Sequence, residues 1–174
     1  MKPLFFIFIF VQFFLGIPKN IQKKIDKEVM SVFDLKSFSK KEIIINTEVS
    51  KELLVPFNEN NFFEINVNDI ENRIGAYYFG SALGKTDDFD FVVIFDNQFI
   101  IKKIKVVAYR EDYGMEIGSK RWLNQFNDLK KGDQVKYQKD IKAISGATLS
   151  ARSMTKAIND LLKSLEILQN KNLI

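Results

Sequence analysis

The chain has 174 residues, 46% of them apolar and 28% charged, with a formal net charge of +4; this is enough for one domain with a buried core and too apolar for a disordered chain. It contains no Cys and no His, which excludes disulfides, thiol nucleophiles, iron–sulfur ligation, the commonest zinc ligand and the usual general base near neutral pH. The charge bias is mild and no dense basic stretch is interleaved with stacking aromatics, so nucleic acid is not an expected partner.

The chain opens with Lys2 and then Leu4, Phe5, Phe6, Ile7, Phe8, Ile9, Phe10 and Val11, continuing after Gln12 through Phe13, Phe14, Leu15, Gly16 and Ile17. One basic residue before about 14 mostly apolar ones has the form of a signal sequence, short of the ~20 residues of a membrane span. Residues 1–17 are therefore expected to be a signal sequence or an N-terminal anchor. Export would place the protein in the periplasm or on the outer face of the membrane, and an uncleaved leader would give membrane association through the N-terminus.

Pro18 breaks the chain after this leader. Ile17, Ile21, Ile25, Val29, Val32 and Phe33 then recur every three to four residues, with Lys19, Lys23, Lys24 and Lys27 between them. The spacing predicts an amphipathic helix of about 15 residues. Packing against the domain is the favoured role for it, ahead of lying along a membrane surface with its lysines outward. Residues 18–60 are assigned to a helical N-terminal region, and residues 61–174 to the main domain.

Strands are expected next. Ile43, Ile44 and Ile45 form a short apolar run, Phe62 to Val67 partly alternates, and Gly75 to Gly80 is aromatic and bounded by glycine. Phe91 to Phe95, a polar Asp96 and Asn97, and the run from Phe99 to Tyr109 have the pattern of a hairpin. Tyr113 to Gln125 is expected to be a loop passing into a short helix around Trp122, Leu123 and Phe126. A polar turn follows at Lys130, Lys131, Gly132 and Asp133. Met154, Ala157, Ile158, Leu161, Leu162, Leu165 and Leu168 then share one face of a long helix. The expected class is α+β: an antiparallel sheet flanked by helices in a single domain.

Just before that last helix stand Ile144, Ser145, Gly146, Ala147, Thr148, Leu149 and Ser150. Gly146 lets the chain turn, and Thr148 or Ser150 is of the type that caps a helix. Unpaired N–H groups in the first turn favour an anion there, and Arg152 adds positive charge. Physical chemistry alone thus gives a phosphate-sized anion site containing an accessible hydroxyl, or else a plain helix cap.

Ser145, Gly146, Ala147 and Thr148 form a tetrapeptide expected by chance in well under about one per cent of chains this long. It resembles the flavinylation motif of the FMN-binding domain family, which includes the flavin-bearing periplasmic subunits of the Rnf complex and of the sodium-translocating NADH:quinone reductase. Upstream, the segment from Tyr109 to Gly118, with Gly114 and Glu116, resembles the family's loop beside the flavin ring. Trp122 to Phe126 resembles the aromatic segment that follows. The likeness covers about residues 75–165. It implies FMN joined covalently, through a phosphoester, to Thr148. The cofactor-binding set would be Ser145, Gly146, Ala147, Thr148, Ser150, Arg152, Gly114 and Glu116, with no metal site. The resemblance also implies that a separate flavin transferase installs the group from FAD with a divalent metal. The protein would then be an extracytoplasmic electron carrier serving membrane-bound or periplasmic redox partners, more a carrier or subunit than a stand-alone enzyme.

One position departs from the pattern. The family usually has an acid shortly before the motif, where this chain has Lys142, and the nearest acid is Asp140. A cation near the flavin would favour the reduced, anionic ring and raise its potential. Trp122, Tyr77 and Tyr78 are aromatic candidates for ring contacts but are better expected in the core. Two other readings stand beside the carrier: a secreted binding or scaffold module of the same fold without flavin, and a hydrolase using Glu111, Asp112 and Glu116.

Overall fold

The computed structural model describes residues 16–58, 60–67 and 72–174. The predicted leader, apart from Gly16 and Ile17, lies outside the described residues. The sheet is a five-stranded antiparallel meander in chain order: β1 (Ser39–Glu42), β2 (Phe62–Asn66), β3 (Arg73–Leu83), β4 (Asp88–Asp96) and β5 (Ile101–Ala108). Helix α1 (Lys19–Phe33) lies on one face and α4 (Thr148–Asn170) on the other, with short helices α2 (Thr47–Ser50) and α3 (Lys120–Leu123) in the connections. The expected α+β class is what the structure shows.

Two apolar layers explain why the central strands are nearly continuous in hydrophobicity rather than alternating. On β4, Phe91, Val93 and Phe95 join the α4-side core with Met154, Ile158, Leu161, Leu162 and Leu165. Their neighbours Val92 and Ile94 join Ile21, Ile25, Val29, Ile65, Tyr77 and Val107 on the α1 side. A strand covered on both faces has no solvent side on which to place polar residues. The three fully packed α1 side chains each contribute about 1.5–3 kcal/mol of transfer free energy. The helix therefore packs on the sheet, with Lys103 and Glu28 paired at 2.5 Å across the contact.

Three expectations are corrected. The run at Ile43, Ile44 and Ile45 is not a strand. The strand is the more polar β1 just before it, and Ile44 is exposed. An edge strand gains its order from backbone pairing with β2, which requires no apolar side chains. Because β1 pairs with β2 from Ser39 opposite Asn66 to Glu42 opposite Phe63, the sheet crosses the boundary drawn at residue 60, and the N-terminal region is not wholly helical. The third correction concerns the start of α4 and belongs to the site.

Both long helices run in the same direction along the sheet. The Ser153 hydroxyl, in the second turn of α4, donates to the carbonyl of Leu83 at the end of β3. The Lys24 ammonium, in the second turn of α1, donates to the carbonyl of Val107 at the end of β5 at 2.8 Å. At the far ends, Phe33 of α1 closes over Gly75, and Gln169 of α4 lies near Arg73 and Gln98. The first turns of α1 and α4 thus lie at one pole of the domain, beside the β3–β4 turn.

Candidate functional site

The loop before α4 ends in a left-handed turn at Gly146 (φ +79°), where an added β-carbon would meet nothing within 4 Å. Ala147, with its N–H donating to the Ile144 carbonyl at 3.3 Å, is the cap residue of α4, and no side chain caps the helix. This corrects the expectation that Thr148 or Ser150 serves as cap. Thr148 is already inside the first turn and exposed, which leaves its hydroxyl uncommitted to the helix. Ser150 lies on the core face and is 1% exposed, so its side chain is turned away from the open side of the loop. Its carbonyl instead accepts from the Ser153 hydroxyl at 3.1 Å.

A 23-residue helix with an uncapped start has unpaired N–H groups in its first turn. The macrodipole adds positive potential there. Arg152 is one turn beyond Thr148 on the same helix face. Its guanidinium lies over the ring of Tyr137, 5.5 Å from the centroid. The Tyr137 hydroxyl oxygen is buried, with no hydrogen-bond partner among the described residues.

The segment from Tyr109 to Gly118 comes to the same place. Gly114 is left-handed (φ +81°), and a β-carbon there would lie 2.9 Å from the Ala147 β-carbon and 3.3 Å from the Gly146 carbonyl oxygen. The same β-carbon would be 2.9 Å from the Tyr109 hydroxyl, which donates to the Tyr113 carbonyl at 2.8 Å and so pins the loop. Glu116 is the second residue of the short 3₁₀ turn Met115–Gly118 and is exposed; its carbonyl accepts from the Ser119 N–H at 2.9 Å.

The three candidate carboxylates do not form a reaction centre. Glu111 accepts from the Thr86 N–H at 2.7 Å and the Asp87 N–H at 3.3 Å, fastening the β3–β4 turn. The Thr86 N–H holds the Glu111 carboxyl below the usual range, against an opposing burial effect and with further help from Asp87, Lys85 and Tyr109. Asp112 and Glu116 are exposed. Among the described residues no group of acids is arranged to hold a metal ion.

Lys142 has an exposed side chain on a fixed backbone. Its N–H donates to the Gln125 side-chain oxygen at 2.9 Å, and its carbonyl accepts from the Trp122 indole at 2.7 Å. Trp122 is therefore a buried brace that packs edge-on against Phe126. Tyr77 and Tyr78 are core residues on opposite faces of β3, and burial raises the pKa of both hydroxyls. Asp140 accepts from the Lys136 N–H at 2.8 Å, so its carboxylate closes its own turn.

The structure thus joins Ser145, Gly146, Ala147 and Thr148 with Gly114, and puts Arg152 one turn behind. It leaves Glu116 at the rim and buries Ser150. Sequence reasoning missed the parts played by Tyr109 and Tyr137. Tyr109 braces its own loop through a bond four residues on, Tyr137 meets Arg152 from a separate segment, and neither carries a sequence signal beyond its aromaticity.

The site fits a phosphate-bearing cofactor: open space beside Gly146, an exposed hydroxyl, an uncapped helix start and a nearby guanidinium. No curated protein matches the chain by sequence. The family model described as FMN-binding domain matches residues 84–163. That span runs from the β3–β4 turn through β4, β5, the Gly114 loop and the Thr148 loop into α4. The match to the FMN-binding domain family over residues 84–163 supports a flavin-binding module in that part of the chain.

Proposed function

We propose that the protein is an extracytoplasmic electron carrier whose FMN is joined by a phosphoester to Thr148. The observation that supports this reading best is the exposed, uncapping hydroxyl of Thr148 beside the open turn at Gly146. A modifying enzyme needs such a hydroxyl clear of both the helix and neighbouring side chains.

In the installation step the Thr148 oxygen attacks the flavin-side phosphorus of FAD. A Thr–O–P bond forms, the P–O–P bond breaks and AMP departs with the bridging oxygen. The hydroxyl proton passes to a base on the flavin transferase, since this chain offers no His or Cys for the task. The transferase also brings the divalent metal. Gly146 and Ala147 leave room for its active site, and the first-turn N–H groups of α4 with Arg152 hold the anionic oxygens. Bound FMN supplies one- and two-electron redox chemistry. The covalent bond makes occupancy independent of free flavin outside the cell, where reversible loading would depend on ligand concentration relative to its dissociation constant.

The test is a denaturing gel of protein made with the transferase, viewed under ultraviolet light. A fluorescent band that disappears in Thr148→Val and persists in Thr148→Ser supports the proposal. A dark wild-type band beside an active transferase overturns it and leaves the non-flavinylated scaffold, the reading that Lys142 favours.

A further inference from the structure

The pole that carries Thr148 is also the pole where the chain joins the domain. Gly16, Ile17 and Pro18 line a cleft with Gly80, Ser81 and Phe91, toward the β3–β4 end of the sheet. Asn20 and Lys24 of α1 line a groove with Val107, Met115 and Ser119, beside the Gly114 loop. Gly16, the first described residue, follows fifteen others in the sequence.

The same pole exposes apolar surface. Leu83 is 68% exposed, Tyr113 83%, Met115 72% and Leu149 53%. Leu149 adjoins Thr148 in sequence. Tyr113 and Met115 flank Gly114, which packs on Ala147. Leu83 is tied to the second turn of α4 by Ser153. Large apolar side chains gathered at one place on a surface mark a contact. Lys19, Lys23, Lys24, Lys85 and Arg110 stand among Asp87, Asp88, Asp112 and Glu116, all exposed, and give this end a polar rim of mixed sign. Such a rim fits contact with a neutral surface better than attraction to a charged one.

We infer that this pole faces the lipid bilayer, with residues 1–15 holding it there, so that Thr148 and whatever it carries are presented to the membrane plane. The inference rests on the proposed function only for what Thr148 carries; the orientation stands without it. Length decides between orientations. Residues 16–18 span at most about 10 Å even when fully extended, and Ile17 packs on the α1-side core. The opposite pole is about 35 Å away along the 23 residues of α4. A leader inserted in lipid would therefore keep the Thr148 pole at the surface and the Gln98 turn far from it.

The chain has no native Cys, so single cysteines report position cleanly. Leu83→Cys, Tyr113→Cys and, at the far pole, Gln98→Cys are made in the full chain, in cells lacking the transferase. Each is labelled with a thiol-reactive fluorophore and reconstituted into phosphatidylcholine vesicles containing nitroxide-headgroup lipid. The single tryptophan, Trp122, reports the fold of each variant. Quenching at 83 and 113 at least twofold greater than at 98 is expected. Equal quenching, stronger quenching at 98, or a folded chain that does not float with the vesicles overturns the orientation. Because no flavin is present, failure here is separate from failure of the gel test.

Discussion

Gly114 lies directly against Ala147: a β-carbon on the first would approach that of the second to 2.9 Å. Residues 33 positions apart in sequence thus form one surface, in which the Tyr109-to-Gly118 segment braces the loop that carries Thr148. Two glycine variants separate this packing from backbone strain. Gly146→Ala has open space and should cost about 1–2 kcal/mol, the price of a left-handed non-glycine residue. Gly114→Ala has similar backbone strain and adds about 1–3 kcal/mol of overpacking against Ala147 and the Tyr109 hydroxyl. Urea denaturation of both should show Gly114→Ala as the less stable. Its flavin loading should also fall, because the Thr148 loop must shift to make room.

Trp122→Phe should cost about 0.5–1.5 kcal/mol, the net worth of an ordinary hydrogen bond, because it leaves the Lys142 carbonyl without the indole donor. Chemical denaturation followed by circular dichroism checks this, since the variant loses the only tryptophan. A loss below about 0.5 kcal/mol would mean that Gln125 alone fixes this segment.

Lys142→Asp should leave stability nearly unchanged, because both structural bonds of residue 142 are made by its backbone. It reverses a charge a few residues from Thr148. The midpoint potential of loaded protein should drop by the equivalent of about 1 kcal/mol, the scale of a solvent-screened interaction between nearby charges. Potentiometric titration of both proteins measures this, and identical potentials would remove Lys142 from the tuning of the site.

The pH dependence of the β3–β4 turn follows from Glu111. Its carboxyl is held below its ordinary value of 4.5, chiefly by the Thr86 N–H. The carboxylate therefore stabilises the turn fully above that value, and the contribution is lost as pH falls through the lower, folded-state value. The Thr86 amide resonance should titrate with a midpoint below 4.5 in wild type. It should not titrate in Glu111→Gln.

The periodicity of Ile21, Ile25 and Val29, and of Met154, Ile158, Leu161 and Leu165, was legible because each helix meets the sheet along one stripe. The hairpin of β4 and β5 was legible for a related reason: burial on both faces selects apolar residues throughout. The strand β1 was not, since an edge strand is held by backbone bonds that leave no mark on side-chain type. At the site, the tetrapeptide ending in Thr148 identified the place before any coordinates did, because a local turn and a helix start are encoded by adjacent residues.

What the chain's residues determined alone was local: two amphipathic helices, paired strands, a small-residue turn before a helix, and the absence of every thiol and imidazole. What only the tertiary structure decided was long-range. It set Gly114 on Ala147, the Tyr137 ring under Arg152, the Trp122 indole on the Lys142 carbonyl, and the first turns of both long helices at one pole. Local conformation depends on neighbours in sequence and leaves periodic traces there. These contacts join segments up to scores of residues apart, and their partners are chosen by how the two layers close over a common sheet.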